Sequence, residues 1–499
     1  LTRHLELRSG VYHDSVTLMQ VSRTIGSAPG VNAALVAMAT ELNLELLAGM
    51  GFDAPADTGP NDLMVALDTI DDDALHSALE LVQSTLSERS RPTPQGFGDT
   101  PAARTVGAAA KRAPATVAFV STPGQYAFAD AMDALESDLP VIVFSDNVPL
   151  HQEIRLKEEA RRRGLLVMGP DCGTAVVGGT GFGFANVVQP GPVGIVAASG
   201  TGAQHVMSLV SAAGVGISHC LGVGGRDLTD SVGAISTLTA LDMLAADSAT
   251  ELIAVVSKPP APAVAELVRS HAAELGKPVL FALLGEGQPD LTATAQAIVE
   301  AARGGPQPEW TPPRTWAPPR ELRPGNGHLR GLFAGGTLCD EAMLIASSIL
   351  GPVYSNIPLR PDWALGDGLR ASGHAMIDFG DDTLTQGRPH PMIDGSLRAE
   401  RLLAEAGDPD CGVVLLDVVL GHGAHPDPAS ELAPAIEAAR ERAAEDGRDL
   451  NVVVSLIGTV DDSQDLNRQA IALAGAGASV HLSNAAATRE AVRLVGGAT

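Results

Sequence analysis

The sequence predicts a multidomain α/β protein, and three observations carry that prediction. From about residue 115 onward, short apolar runs with no internal charge alternate with helix-length stretches, as strands buried on both faces of a parallel sheet require. A strand, a glycine turn and a helix follow one another at 194–201 and again at 331–337. Two stretches, Pro92–Lys111 and Gly304–Gly327 (the latter with seven prolines), read as linkers between units. The 499 residues leave room for about three or four domains.

Residues 1–95 read as a small ferredoxin-like α/β unit. Strands are expected at His4–Leu7, Asn32–Met38 and Asp62–Leu67, and helices at Asp14–Ala28, Leu42–Gly49 and Asp72–Leu86. Asp14 or Ser15 and then Asp72 are the expected helix caps. Residues 114–190 read as a Rossmann-like doubly wound unit, with strands Ala115–Val120, Pro140–Phe144 and Leu165–Met168 and helices Gln125–Leu135 and His151–Arg163. Residues 191–303 read as a flavodoxin-like unit. Its expected strands are Val193–Ala198, Ile217–Val223, Glu251–Val256 and Pro278–Leu284, with helices Ala203–Ala213, Gly233–Ala245 and Pro262–Leu275 between them. Pro262 suits a first helical turn, where its missing N–H costs nothing. Residues 328–497 read as a second copy of that unit, because Gly331–Thr337, Val413–Leu416 and Val452–Leu456 answer to Gly194–Thr201, Leu252–Val256 and Val279–Leu283.

Composition narrows the function. A formal charge of −26 argues against a nucleic-acid surface, which needs clustered Lys and Arg. A few local donors still suffice for a small anion. No apolar stretch approaches a membrane span, and the first ten residues carry no signal-peptide core. Cys172, Cys220, Cys339 and Cys411 are far apart and form no Cys-x-x-Cys pair, so neither a disulfide framework nor a zinc site is expected, and the expected location is the cytoplasm.

Ligands on open parallel sheets bind beyond the carboxyl ends of the strands. There, Ser199-Gly200-Thr201-Gly202 opens a helix whose free N–H groups and dipole favour phosphate or carboxylate; a plain helix cap is the alternative. Gly335-Gly336-Thr337 occupies the matching turn of the repeat, so two helix starts can hold one anion between them. Arg226, in Gly222-Val223-Gly224-Gly225-Arg226-Asp227, offers a bidentate fork for an anion or else a surface ion pair. Lys258, one of only four lysines, again ends a strand; a solvated lysine is its alternative. His390, between Pro389 and Pro391, is held as a positioned acid/base group would be, or is a structural histidine satisfied by Asp394. The acidic loop Asp378, Asp381, Asp382 suits Mg²⁺ or is a solvated turn. His422 and His425 lack an evident third ligand, and Cys172 lacks a local His, so no metal site is assigned.

Residues 114–305 resemble the α subunit of succinyl-CoA synthetase, a CoA-binding Rossmann-like domain followed by a flavodoxin-like ligase domain, and 328–497 resemble the ligase domain of its β subunit. Closer still is the resemblance to the FdrA family. It is carried by Phe144-Ser145-Asp146-Asn147-Val148, Gly164–Thr174, Ala198–Gly202, Gly224–Leu228, Ser257-Lys258-Pro259-Pro260, Gly335–Leu338 and Gly387–Asp394. The synthetase resemblance implies a CoA-type pocket at Ser121, Thr122, Pro123, Gly124, Ser145, Asp146, Asn147 and Pro170, with CoA as a candidate cofactor beside the Mg²⁺ that the acidic loop suits. Synthetases carry phosphate on a histidine in a Gly-His-Ala-Gly-like loop, but here that region reads Leu283–Asp290 and holds no histidine. The FdrA resemblance implies a subunit of an oxamate carbamoyltransferase of allantoin catabolism, interconverting oxalurate plus phosphate with carbamoyl phosphate plus oxamate. On that reading Ser199–Gly202 and Gly335–Thr337 bind phosphate, and Arg226, Lys258 and His390 act on the substrate. Arg388 holds an anionic group, and companion subunits and a homo-oligomer are expected. An acyl-CoA ligase subunit and a non-catalytic scaffold are the competing readings.

Overall fold

The computed structural model describes residues 2–9, 11, 15–26, 28–55, 58–59, 62–90, 103–305, 313–325, 327–370, 372–385 and 389–496. The chain forms two compact units, Leu1–Ala102 with Thr383–Pro389, and Ala103–Asp382 with His390–Thr499.

In the first unit the order is β1 (Thr2–Ser9), α1 (Ser15–Gly26), β2 (Val31–Met38), α2 (Glu41–Gly49), β3 (Asp62–Thr69) and α3 (Asp72–Ser90). β3 lies between β1 and β2, antiparallel to both, which is three strands of a ferredoxin-like sheet. Its side chains alternate, so Leu63, Val65 and Leu67 meet Leu18, Val21 and Val82 of α1 and α3, while Met64 and Ala66 meet Leu47 of α2 and Phe52. Asp71 Oδ1 accepts the Ala74 N–H, so Asp71 and not Asp72 caps α3; Asp14 lies outside the described residues.

The second unit begins with α4 (Val106–Ala110), β4 (Ala118–Val120), α5 (Gly124–Glu136), β5 (Val141–Val143), α6 (Leu150–Arg163) and β6 (Val167–Met168). Their parallel order β4-β5-β6 is one half of a doubly wound sheet. A hairpin follows, β7 (Thr174–Val177) and β8 (Thr180–Gly183), which the sequence reading grouped with this half. Its backbone instead pairs with the next sheet, through β10.

That sheet comprises β9 (Val193–Ala198), α7 (Gly200–Ala212), β10 (Ile217–Gly222), α8 (Ile235–Ala246), β11 (Leu252–Ser257), α9 (Pro262–Ala273), β12 (Val279–Leu283) and α10 (Leu291–Ala302). Its order is β12-β11-β9-β10-β7-β8. The last sheet comprises β13 (Thr315–Trp316), β14 (His328–Phe333), α11 (Gly336–Leu350), β15 (Val353–Ser355), β16 (His374–Asp378), α12 (Asp382–Thr385), α13 (Ser396–Ala406), β17 (Cys411–Val419), α14 (Pro428–Glu445), β18 (Asn451–Ile457), α15 (Leu466–Gly475), β19 (Ala478–His481) and α16 (Asn484–Leu494). Its order is β13-β19-β18-β17-β14-β16-β15.

The two sheets share a wiring. β10-β9-β11-β12 and β16-β14-β17-β18 place the first strand of each unit beside the point where the winding reverses. Ligands on such sheets bind outside that switch point. The turns after β9 and β14 are the Ser199 and Gly335 turns, so the wiring itself puts both helix starts at the binding edge. One hydrophobic core runs through both sheets, from Ile195, Val206 and Met207 to Leu338, Met343 and Leu415. No helix among the described residues is long and apolar enough to cross a membrane.

Candidate functional site

The starts of α7 and α11 meet. Ser199, extended at φ −164°, caps α7 by accepting the Gly202 N–H at 3.0 Å. Its hydroxyl also lies 2.6 Å from the Thr337 hydroxyl in the first turn of α11. Glycine is needed at this junction because no side chain fits. A Cβ on Gly335 would lie 2.7 Å from Thr201 Oγ1, and one on Gly336 would lie 2.6 Å from Asp378 Oδ2.

The Gly335 turn is fixed from behind by Asp417. Its two oxygens accept the N–H groups of Ala334 at 2.7 Å and Gly335 at 2.8 Å, while Arg398 donates to it at 2.8 Å. Burial pushes the Asp417 carboxyl up, and Arg398 with the two N–H donors opposes that rise. The fully buried carboxylate therefore has a cation and two amides for partners, as a buried charge requires.

Both helix starts open on one cavity of about 130 Å³. Ser199, Gly200, Thr201, Gly335, Gly336, Thr337, Lys258 and His390 all line it, together with Gly224 and Gly225 of the loop after β10. Lys258 is half-buried, and among the described residues it makes no hydrogen bond or ion pair. Its charge is felt by four carboxyls, Asp171, Asp340, Asp378 and Asp382. The walls packed around Asp171 strip solvent from its carboxyl and push it up to about 7, with Asp382 adding to the rise and Lys258 opposing it. Burial likewise pushes Asp378 up to about 7, against the Gly380 N–H and Lys258, and Asp340 up to about 6. Carboxyls raised around a lone lysine, beneath two helix dipoles, mark a site that handles anions and protons.

His390 takes a different state from the one a general acid needs. Its Nδ1 accepts the Met392 N–H at 3.2 Å, and its ring stands 5.6 Å from the Phe184 ring. Burial pushes it down to about 4. The imidazole is thus neutral at neutral pH, with Nε2–H as its donor. Asp394 does not hold it; that carboxylate accepts the Ser396 N–H.

The expectation for Arg226 is corrected here. Arg226 does not offer a free fork, because its Nε lies 2.8 Å from Glu153 and its Nη2 donates to the Val148 carbonyl. Those partners hold it on α6, and it is absent from the cavity lining. Arg388 lies outside the described residues. His425 spends both ring nitrogens, on Glu431 at 3.2 Å and on the Asp427 N–H, so it is no metal ligand with His422. Cys172 is buried and its thiol is pushed up to about 12, chiefly by burial, which leaves it unsuited to act as a thiolate. Among the described residues no group of three or more His, Cys, Asp or Glu is arranged to hold a metal. The residues missed from sequence are Asp171 and Asp340, which join Asp378 around Lys258, and Gln204 in the lining.

The CoA-type residues do come together, at the carboxyl ends of β4, β5 and β6. Ser145 donates to the Thr122 carbonyl, and Ser145 in turn accepts the Asp171 N–H at 2.9 Å through its own carbonyl. Gly124 packs so closely that a Cβ there would lie 2.1 Å from the Asp146 carbonyl oxygen. Ser121, Thr122, Pro123, Asp146 and Asn147 remain exposed on this edge, whereas Pro170 is buried.

Residues 1–102 match the family model described as AllF, heavy metal-associated domain, and residues 332–494 match the model described as CoA-ligase. Across 492 residues the chain is 38% identical to the Escherichia coli (strain K12) protein named uncharacterized protein YahF, covering 94% of each. The chain belongs to the YahF family. Within this YahF-family chain, 195 residues are 27% identical to the alpha subunit of the ADP-forming succinate–CoA ligase of Methanothermobacter thermautotrophicus, 38% of this chain and 64% of that subunit. The malate–CoA ligase subunit alpha of Methylorubrum extorquens is 26% identical over 178 residues, 34% of this chain and 58% of that one. A dinucleotide forming acetyl-coenzyme A synthetase of Ca. Korarchaeum cryptofilum, solved with phosphate and ADP, covers 81% of this chain and 89% of its own at 16% identity and a TM-score of 0.29. This member of the YahF family is therefore a CoA-ligase-like, succinyl-CoA-synthetase-like protein. The unit matched as heavy metal-associated contains no cysteine, so it has no thiolate with which to take a soft metal.

Proposed function

We propose that this chain is a CoA-ligase-like subunit that binds phosphate, or the phosphoryl end of a small acyl phosphate, between the starts of α7 and α11. The observation that carries the reading is the shared cavity, where two helix starts and the unpaired Lys258 converge. Backbone N–H groups of Gly200, Thr201, Gly336 and Thr337 supply fixed donors, and Lys258 supplies the charge. CoA would be taken at the exposed loops Ser121–Gly124 and Ser145–Asn147 with Pro170 beneath them, and when bound it supplies a thiol as acyl acceptor. Gly124 fits this role, because its missing Cβ lets the two loops close on each other.

Carbamoyl transfer is the second reading. The carboxyls of Asp171 and Asp378 in the lining suit an acyl group that carries N–H donors. The motif resemblance to the FdrA family supports carbamoyl phosphate, with oxamate or oxalurate as counterpart and companion subunits as partners. His390 Nε2–H would then donate to the carbonyl oxygen of the substrate.

Calorimetric titration of the full chain with phosphate, carbamoyl phosphate, oxamate and CoA separates these readings. The expected result is phosphate binding that weakens about tenfold in Lys258→Met, as loss of one charge-assisted contact predicts. CoA binding alongside it supports the ligase-like reading. Carbamoyl phosphate binding without CoA binding transfers the assignment to the second. A wild-type chain that binds neither phosphate nor carbamoyl phosphate ends both.

A further inference from the structure

Any acyl transfer at this cavity must move one proton. When an acyl phosphate gives its acyl group to a thiol, amine or amide, the carbon–oxygen bond to phosphate breaks and a bond to sulfur or nitrogen forms. The proton on that atom must leave, and the released phosphate dianion with one proton is where it ends. We infer that Asp171 is the residue that carries this proton, an inference that rests on the phosphate-binding reading above.

Its position supports that role. Asp171 sits where the two halves of the site join, directly after Pro170 of the CoA-type loops and on the wall of the anion cavity. Much of its side chain is open to that cavity, and among the described residues its carboxylate makes no hydrogen bond or ion pair. The backbone beneath it is fixed. The Asp171 N–H is held by the Ser145 carbonyl, and a Cβ on Gly224 would lie 2.5 Å from the Pro170 carbonyl oxygen. Asp171 itself is left-handed at φ +57°, a conformation that aspartate and asparagine tolerate best among residues with a side chain. Asp378, by contrast, spends one oxygen on the Gly380 N–H, and Asp340 is held within α11.

The charges facing Asp171 come from every side: Lys258 at the end of β11, Asp382 from α12, Asp146 from the loop after β5, and Arg226 from the loop after β10. The neighbouring Cys172 thiol stays protonated. With its carboxyl at about 7, Asp171 is matched to exchange a proton with phosphate near neutral pH.

The test is the proton count of anion binding. Sulfate is used as the probe, because it is tetrahedral and does not itself titrate near neutrality. Titrations at pH 8 in buffers of different ionisation enthalpy report the protons taken up. The wild type is expected to take up a proton as sulfate binds, and to bind sulfate more tightly as pH falls from 8 to 6, by up to about tenfold per unit. Asp171→Asn, which keeps the backbone preference, is expected to bind sulfate with less proton uptake and a shallower pH dependence than the wild type, Asp378 supplying what remains; Asp171→Glu restores the difference. Uptake undiminished in Asp171→Asn, or binding without uptake in the wild type, overturns the inference and leaves the anion site standing. Failure of the wild type to bind sulfate or phosphate ends the anion reading and this inference with it.

Discussion

Gly335→Val is expected to abolish phosphate binding while leaving the chain folded. The backbone at Gly335 is extended, at φ −115°, so a side chain is allowed there by conformation and refused only by space. Its Cβ would lie 2.7–2.8 Å from three atoms of Thr201, and the branches of valine would enter the gap between the helix starts. Overpacking of this kind costs stability by about 1–3 kcal/mol, within what a large domain absorbs. Loss of two or more charge-assisted contacts to the anion should weaken binding by at least about 100-fold. Calorimetry with phosphate, beside a thermal melt, checks both parts. Unchanged affinity in a folded Gly335→Val chain would place the anion elsewhere.

Lys157→Met should produce the largest loss of stability of any single change near the site, about 3–5 kcal/mol. Lys157 is fully buried, and its ammonium donates to Glu153 at 2.8 Å, to Asp227 at 2.7 Å and to the Val223 carbonyl at 2.9 Å. Asp227 also accepts the N–H groups of Ser236 and Thr237, so it pins the start of α8. Methionine fills a similar volume but leaves two carboxylates in the interior, with Arg226 reaching only Glu153. The network closes the loop that presents Gly224 and Gly225 to the cavity, so anion binding should weaken along with stability. Urea unfolding measures the effect; a variant as stable as the wild type would show that the network is not what secures this loop.

The parallel strands were legible because burial on both faces leaves a local mark. All six residues of Val193–Ala198 are buried, and none is charged. The paired turns were legible for a related reason, since each follows the first strand of a repeated unit. The hairpin β7–β8 was overlooked although its signal was present: Gly178 and Gly179 both have positive φ, as a tight hairpin turn demands. Arg226 was misread because a sequence shows the fork and not its partner, and Glu153 reaches it from a helix of another sheet layer. Asp171, Asp340 and Asp378 share no spacing at all. They come from a loop, a helix and a strand end, and only the wiring of the two sheets brings them around one lysine.

The central claim is that one anion lies between the starts of α7 and α11. The most direct measurement is a crystal of the full chain soaked with arsenate, whose anomalous scattering locates a phosphate-like ion without ambiguity. The account predicts an anomalous peak in the cavity, within hydrogen-bonding distance of the backbone N–H groups of Gly200 or Thr201 and of Gly336 or Thr337, with Lys258 Nζ turned toward it. Arsenate bound elsewhere, with this cavity empty, would contradict it.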